Sequence, residues 1–338
     1  MATRTTRARS GSAPATSESA PGAGAAGAAG ESAAGAGAAG ESAAGAPHDL
    51  TRTGAPHEIA RVRVPTRTVR GELRAIKVVW KRELIRFSRD RLRILTSLMQ
   101  PFLFLFVLGT GLSRLASAGT HGVNLRTFVY PGVLCMAVMF TAMFSAASLV
   151  WDREFGFLRE MMVAPVRRSS LVLGKCFGGA TVAGFQGVIV LCLAGLVGVP
   201  YAATLILEVF ALQLLLAFAI TAFGVMVAAR ITQMQSFMAL MQMAIMPMYF
   251  LSGALFPVSG LPQWLSILNR LDPLTYAVDP MRRAVFAHLN ISAAARHALD
   301  PGVTWWSWQV PGLVEAAVVG LLGLAMLTVA IVQFSRAE

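Results

Sequence analysis

Apolar positions dominate the chain from Ile94 to Phe334, in long runs at roughly 94–113, 127–151, 172–198, 203–229, 235–257 and 311–334. Each run is near the ~20 residues that cross a bilayer as a helix. None alternates as a barrel strand would, and in lipid only helices or closed barrels satisfy their own backbone. The expected fold is an all-α membrane protein with six transmembrane helices.

Two further patterns surround these runs. Leu73, Ile76, Trp80, Leu84 and Phe87 recur at spacings of three and four, with Arg70, Arg74, Lys77, Lys81, Arg82, Arg86 and Arg89 on the other faces. That is a basic amphipathic helix over 66–93, expected to lie in the membrane interface against the lipid bilayer. The segment 258–310 is apolar but interrupted by Pro257, Pro262, Pro273 and Pro280, each expected to cut a helix. Short re-entrant helices are therefore expected over 258–285, on the outer side. Trp305, Trp306 and Trp308 then read as an interfacial aromatic belt before the last helix. Residues 1–65 are rich in Ala, Gly and Ser and repeat a ten-residue unit at 28–37 and 38–47. Such a composition buries too little apolar area to order itself, so a disordered tail is expected. The domains are thus 1–65, 66–93 and a six-helix membrane body over 94–338.

Composition strengthens this picture. Of 338 residues 55% are hydrophobic and only 14% charged, where soluble domains average about a quarter charged. The net charge of +12 sits mostly in the tail and beside the apolar runs, as anionic lipid and topology require, so no nucleic-acid partner is expected. Arg82, Arg86, Arg89, Arg91 and Arg93 precede the first run. Arg153, Arg159, Arg167 and Arg168 follow the second, and Arg230 and Arg336 follow the fourth and sixth. By the positive-inside rule both termini are cytoplasmic and the chain is a multi-pass protein of the cell membrane. The basic N-terminal residues are not followed by the apolar stretch of a signal peptide.

Candidate chemistry is sparse. The one Gly-Lys pair, Gly174-Lys175, is followed by Cys176 and lacks the upstream glycine of a phosphate-binding loop. The five histidines have no metal spacing, and Cys135, Cys176 and Cys192 lie in or beside apolar runs as small hydrophobes. No enzyme activity, metal or cofactor is expected of this chain. Asp152 to Arg168 is the informative stretch. It carries both signs of charge, apolar Phe155, Leu158, Met161 and Met162 at helical spacing, and a stop at Pro165. Periodicity allows either a helix laid in a partner's groove or one resting on lipid.

The run Asp-Arg-Glu-Phe-Gly-Phe-Leu-Arg-Glu-Met-Met-Val-Ala-Pro-Val at 152–166, continuing to Leu173-Gly174-Lys175, resembles the cytosolic loop of ABC type-2 permeases, and most closely the daunorubicin-resistance branch. Leu251-Ser252-Gly253-Ala254-Leu255-Phe256-Pro257 and Asp272-Pro273-Leu274-Thr275-Tyr276-Ala277-Val278-Asp279 support it, over about 70–338. Two departures are Asp272, where the family usually has Asn, and Asp152, in place of a common Glu. The resemblance implies a half-transporter that pairs with a second permease, here a homodimer, and with two ABC ATPase subunits that carry ATP and Mg. It implies a coupling helix at 154–164 contacting the ATPase through Glu154, Phe155, Gly156, Leu158, Arg159, Glu160, Met161 and Pro165. Pro257, Pro273 and Tyr276 would belong to an outer gate.

For a substrate path the candidates are Met241, Met246 and Phe250 in the methionine-rich fifth run, and Glu208 in the fourth. Methionine suits varied apolar cargo, although such runs also serve as packing. The function expected is export of an amphipathic drug-like or lipid-like compound. Glycan export by the same superfamily is one alternative. A gradient-driven transporter using Glu208 is another, and a membrane anchor a third.

Overall fold

The computed structural model describes residues 68–111, 124–156, 167–256, 262–289, 291–292, 296, 299, 302–305 and 308–336. The tail over 1–65 lies outside them. Helix α1 is Val69–Arg89 and α2 is Arg91–Gly111. They are followed by α3 Leu125–Glu154, α4 Arg168–Leu191, α5 Ala203–Ala228 and α6 Met234–Leu251. Shorter helices α7 Gln263–Leu271 and α8 Thr275–Ala287 come next. A hairpin pairs β1 Thr304–Trp305 antiparallel with β2 Trp308–Gln309, and α9 Gly312–Arg336 ends the bundle. The hairpin is a small departure from an all-helical reading. Helices α2, α3, α4, α5, α6 and α9 are each long and apolar enough to cross a membrane.

Helix α3 is the axis. Its 30 residues rise about 45 Å, and 89% of its most apolar window is buried. It is flanked by α2, α4, α5, α6 and α8, while α9 lies against α5 and α4. The corresponding windows of α2 and α6 are only 18% and 22% buried, so these two helices carry most of their apolar surface outward. Proline and local backbone explain the altered boundaries. In α2, Pro101 precedes a π-helical turn at Phe104–Leu108, the usual relief for a ladder that has lost a donor. The fourth helix stops at Leu191 rather than near 198, because a 3₁₀ turn at Ala194–Val197 leads into Gly198 at φ 80°. Helix α6 stops at Leu251 rather than near 257, at a turn through Gly253 with φ 71°.

The N-terminal helix corrects its expected face. Leu73 is 61% exposed, whereas Val79, Glu83 and Phe87 are buried and Glu72 and Ile76 half-buried. Residues 72, 76, 79, 83 and 87 form the stripe, which includes two carboxylates that a purely apolar reading passes over. The partner explains it. Successive contacts pair Glu72 with Arg167, Val79 with Gly174, Glu83 with Gly178 and Phe87 with Phe185, so α1 runs parallel to α4. Trp80 adds an indole N–H bond to Thr181 at 3.0 Å. Gly174 and Gly178, four apart, make the approach possible, as small residues do between membrane helices. A Cβ on Gly174 would stand 2.7 Å from Val79 Cβ, and one on Gly178 would stand 2.8 Å from Glu83 Cβ.

Pro280 does not cut a helix as expected. It sits inside α8, which packs on α3, α5 and α9, and that packing outweighs the roughly 3 kcal/mol cost of an interior proline. Pro273 does mark a start. Asp272 is extended at φ −75°, ψ 119°, and its carboxylate accepts from the Thr275 hydroxyl at 3.1 Å, with proline in a position that needs no donor.

Replacing Gly178 by Val is expected to separate α1 from α4 and lower stability by about 1–3 kcal/mol. Gly111→Ala, where a Cβ meets nothing within 4 Å, should change the unfolding temperature in detergent little.

Candidate functional site

The last turn of α3 gathers a cluster of buried charges at one end of the bundle. Asp152 is fully buried and accepts from Arg82 at 2.7 and 2.8 Å and from Lys175 at 2.7 Å. Lys175, 4% exposed, gives its other two protons to Glu83 at 2.6 Å and to Ser148 at 2.9 Å. All three ammonium donors are thereby used. This matters because an ion removed from water without partners costs several kcal/mol. The cluster joins α1, α3 and α4.

The next two residues reach elsewhere. Arg153 donates to the carbonyls of Ala228, Ala229 and Ile231 at 3.1–3.2 Å, the unsatisfied end of α5. Glu154 accepts from Met234 N at 3.1 Å, at the start of α6. Around them, Glu72 accepts from Arg167 N and Ser170 Oγ at the start of α4, and Arg168 reaches the carbonyls of Phe334 and Ser335 at the end of α9. Three successive side chains of α3 thus hold α1, α4, α5 and α6. Gly156, at φ 79°, then ends the helix in the left-handed conformation that glycine adopts without strain.

This geometry revises the expected coupling segment. Asp152 and Glu154 belong to spanning helix α3, so a separate helix does not begin at Glu154. Phe155 is exposed and stacks on Trp151, ring centroids 5.6 Å apart. Leu158, Arg159, Glu160, Met161 and Pro165 lie outside the described residues. The substrate-path candidates are not brought together. Met241 is fully buried beside Gly224 of α5, Met246 is half-buried, and Phe250 is 52% exposed. Glu208 is exposed and makes no hydrogen bond or ion pair with a described residue. The buried acid Glu83 and the structural role of Lys175 were not anticipated. The available signal was Glu72 and Glu83 eleven positions apart, on the stripe that also carries Ile76 and Val79.

At the opposite end, Arg282 is buried, donates to the carbonyls of Gly253 and Ala254, and lies 4.5 Å over the ring of Phe128. Arg283 pairs with Asp279, and with Glu315 at 2.8 Å, tying α8 to α9. Asp279 also accepts from Val303 N at 3.3 Å, beside the hairpin. Of the expected gate residues, Pro257 lies outside the described residues, while Pro273 and Tyr276 adjoin one another. The Tyr276 hydroxyl donates to Arg270 O at 2.8 Å and accepts from Trp305 Nε1 at 2.9 Å. Burial pushes the Asp272 carboxyl up to about 7, against hydrogen bonds from Leu274 and Thr275 that pull it down.

Two outcomes are expected. Lys175→Met strands two buried carboxylates and should cost about 3–5 kcal/mol in detergent unfolding, whereas Arg86→Ala, at the half-exposed edge 3.4 Å from Asp152, should cost no more than about 1 kcal/mol. For Asp272, an acid with a raised folded pKa favours the folded state when protonated. Its contribution is therefore greatest below about pH 4, falls as pH rises to about 7, and is flat above. Asp272→Asn keeps a side-chain oxygen for the Thr275 hydroxyl and removes the penalty. It should raise stability above pH 7, by at most about 4 kcal/mol, with no gain at pH 4.

Sequence comparisons agree with the arrangement. The chain is 30% identical over 210 residues to ycf38 of Cyanophora paradoxa, a transport permease by name, covering 61% of this chain and 72% of that one. It is 28% identical to nodulation protein J of Rhizobium leguminosarum bv. viciae, covering 71% and 91%. It is also 26% identical to YbhR of Escherichia coli K12, named a multidrug ABC transporter permease, covering 63% and 56%. Residues 74–286 match the ABC-2 type transporter family, a match that takes in most of α1, the Asp152 cluster and most of α8, and the chain belongs to that family.

Proposed function

We propose that this chain is the permease half of an exporter that moves an amphipathic, drug-like or lipid-like compound outward across the cell membrane. ABC-2 permeases are membrane transport subunits that work with ABC ATPase subunits. In the proposed assembly two copies of this chain meet two ATPase chains, which bind ATP and Mg, and both termini face the cytoplasm. The ATPase contact is assigned to Phe155, Gly156, Leu158, Arg159, Glu160, Met161 and Pro165, with Glu154 behind them.

The observation that carries this reading is the clasp at Asp152, Arg153 and Glu154. A displacement applied beyond Gly156 acts on the end of α3, and each of those side chains passes it to a different helix. Asp152 engages α1 and α4, Arg153 the end of α5, and Glu154 the start of α6. An outward-facing gate at Pro257, Pro273 and Tyr276, within short re-entrant helices, belongs to the same proposal, as does a cargo route along Met246 and Phe250.

Affinity purification from native membranes tests it. An ATPase subunit should co-purify with the wild-type chain and be lost with Leu158→Arg, Glu160→Arg, which spares the clasp. The chain purified alone should hydrolyse no ATP. Robust ATPase activity without a partner, or unchanged partner recovery with the double variant, would sink the assignment.

A further inference from the structure

A groove of about 490 Å³ lies between α2 and α3, away from the proposed path on α6. One end holds Asp90 and Arg93; its length is lined by Ser97, Gln100, Phe140 and Phe144. The volume falls in the range of pockets that hold small organic ligands. Polarity is graded along it. Twenty residues of α3 counted from Arg126 span about 30 Å and reach Ser145, so Phe144 and Phe140 lie within hydrocarbon depth and Arg93 at its edge.

The charge at that edge is held by no direct bond from a described residue, although Asp90 and Glu83 lie near it. Arg93 sits 5.4 Å over the ring of Phe144, and its guanidinium makes no hydrogen bond or ion pair with a described residue. Asp90 is engaged at the helix start, where it accepts from Arg93 N at 3.0 Å. The neighbouring Arg86, Arg89 and Arg91 keep the surroundings basic. The side-chain amide of Gln100, further in, is likewise unbonded among the described residues.

We propose that this groove binds a single-chain anionic amphiphile, its acid group on Arg93 and its apolar chain over Phe144 and Phe140. Such a molecule would reach the groove from the leaflet on the Asp152 side. This deepens the exporter reading and rests on it for the role of cargo, though binding itself does not depend on a partner or on ATP.

The test uses the full chain in neutral-lipid nanodiscs, with dansyl-undecanoic acid and its uncharged methyl ester as fluorescent probes. The acid should bind saturably and at least about tenfold tighter than the ester. Arg93→Gln should weaken the acid about tenfold and leave the ester unchanged, Arg93→Lys should restore most of the difference, and Phe144→Ala should weaken both. Equal binding of acid and ester, or an acid affinity untouched by Arg93→Gln in a normally folded variant, overturns the proposal. Nanodiscs of phosphatidylglycerol separate the sources: complete displacement of the probe by that two-chain lipid assigns a resident lipid and overturns it too. Loss of the ATPase partner in the pull-down would leave these binding results standing, so the two readings fail separately.

Discussion

A carboxylate sealed inside an apolar bundle needs its countercharges in place, and in this chain that requirement falls on Asp152. Its partners come from α1 and α4, which are remote from it in sequence, so the bundle cannot close at this end until both helices arrive. Lys175 has no freedom left once Glu83, Ser148 and Asp152 take its three protons. The glycines at 174 and 178 follow from the same constraint, since Glu83 reaches Lys175 only if α1 lies almost in backbone contact with α4.

The adjacent residues make this a junction rather than an isolated ion pair. Helix ends carry unsatisfied backbone groups and partial charges. Arg153 and Glu154 use opposite signs to satisfy opposite ends, the carboxyl end of α5 and the amino end of α6. In the proposed assembly such a place has a use, because one short segment is mechanically continuous with most of the membrane helices.

The six spanning helices were legible in the sequence because their signal is length and lack of charge, which lipid imposes on each helix independently. Helix ends were less legible, since Gly198, Gly253 and Gly156 act through local backbone that hydropathy does not register. The face of α1 was misjudged for a different reason. Leu73 and Leu84 count as apolar wherever they point, while Glu72 and Glu83 become interior residues only through Arg167, Ser170 and Lys175 of α4. Pro280 likewise looks like a breaker until α3, α5 and α9 surround it. In each case the deciding information lay in a partner distant along the chain. Of the proposed ATPase contact, the sequence supplied the segment, but the clasp behind it required knowing which helix ends meet Arg153 and Glu154.

Two of the buried charges near the opposite end have different temperaments. Arg282 stays ionised at any pH a cell meets, and it is shielded from salt by Phe128 and the carbonyls of Gly253 and Ala254. Asp272, between α7 and α8, changes charge near neutrality. The join between α8 and the end of α6 is therefore indifferent to the surrounding medium, while the join between α7 and α8 slackens as the medium turns alkaline. A bundle so arranged registers acidity at the seam between α7 and α8, through the carboxyl group beside Pro273.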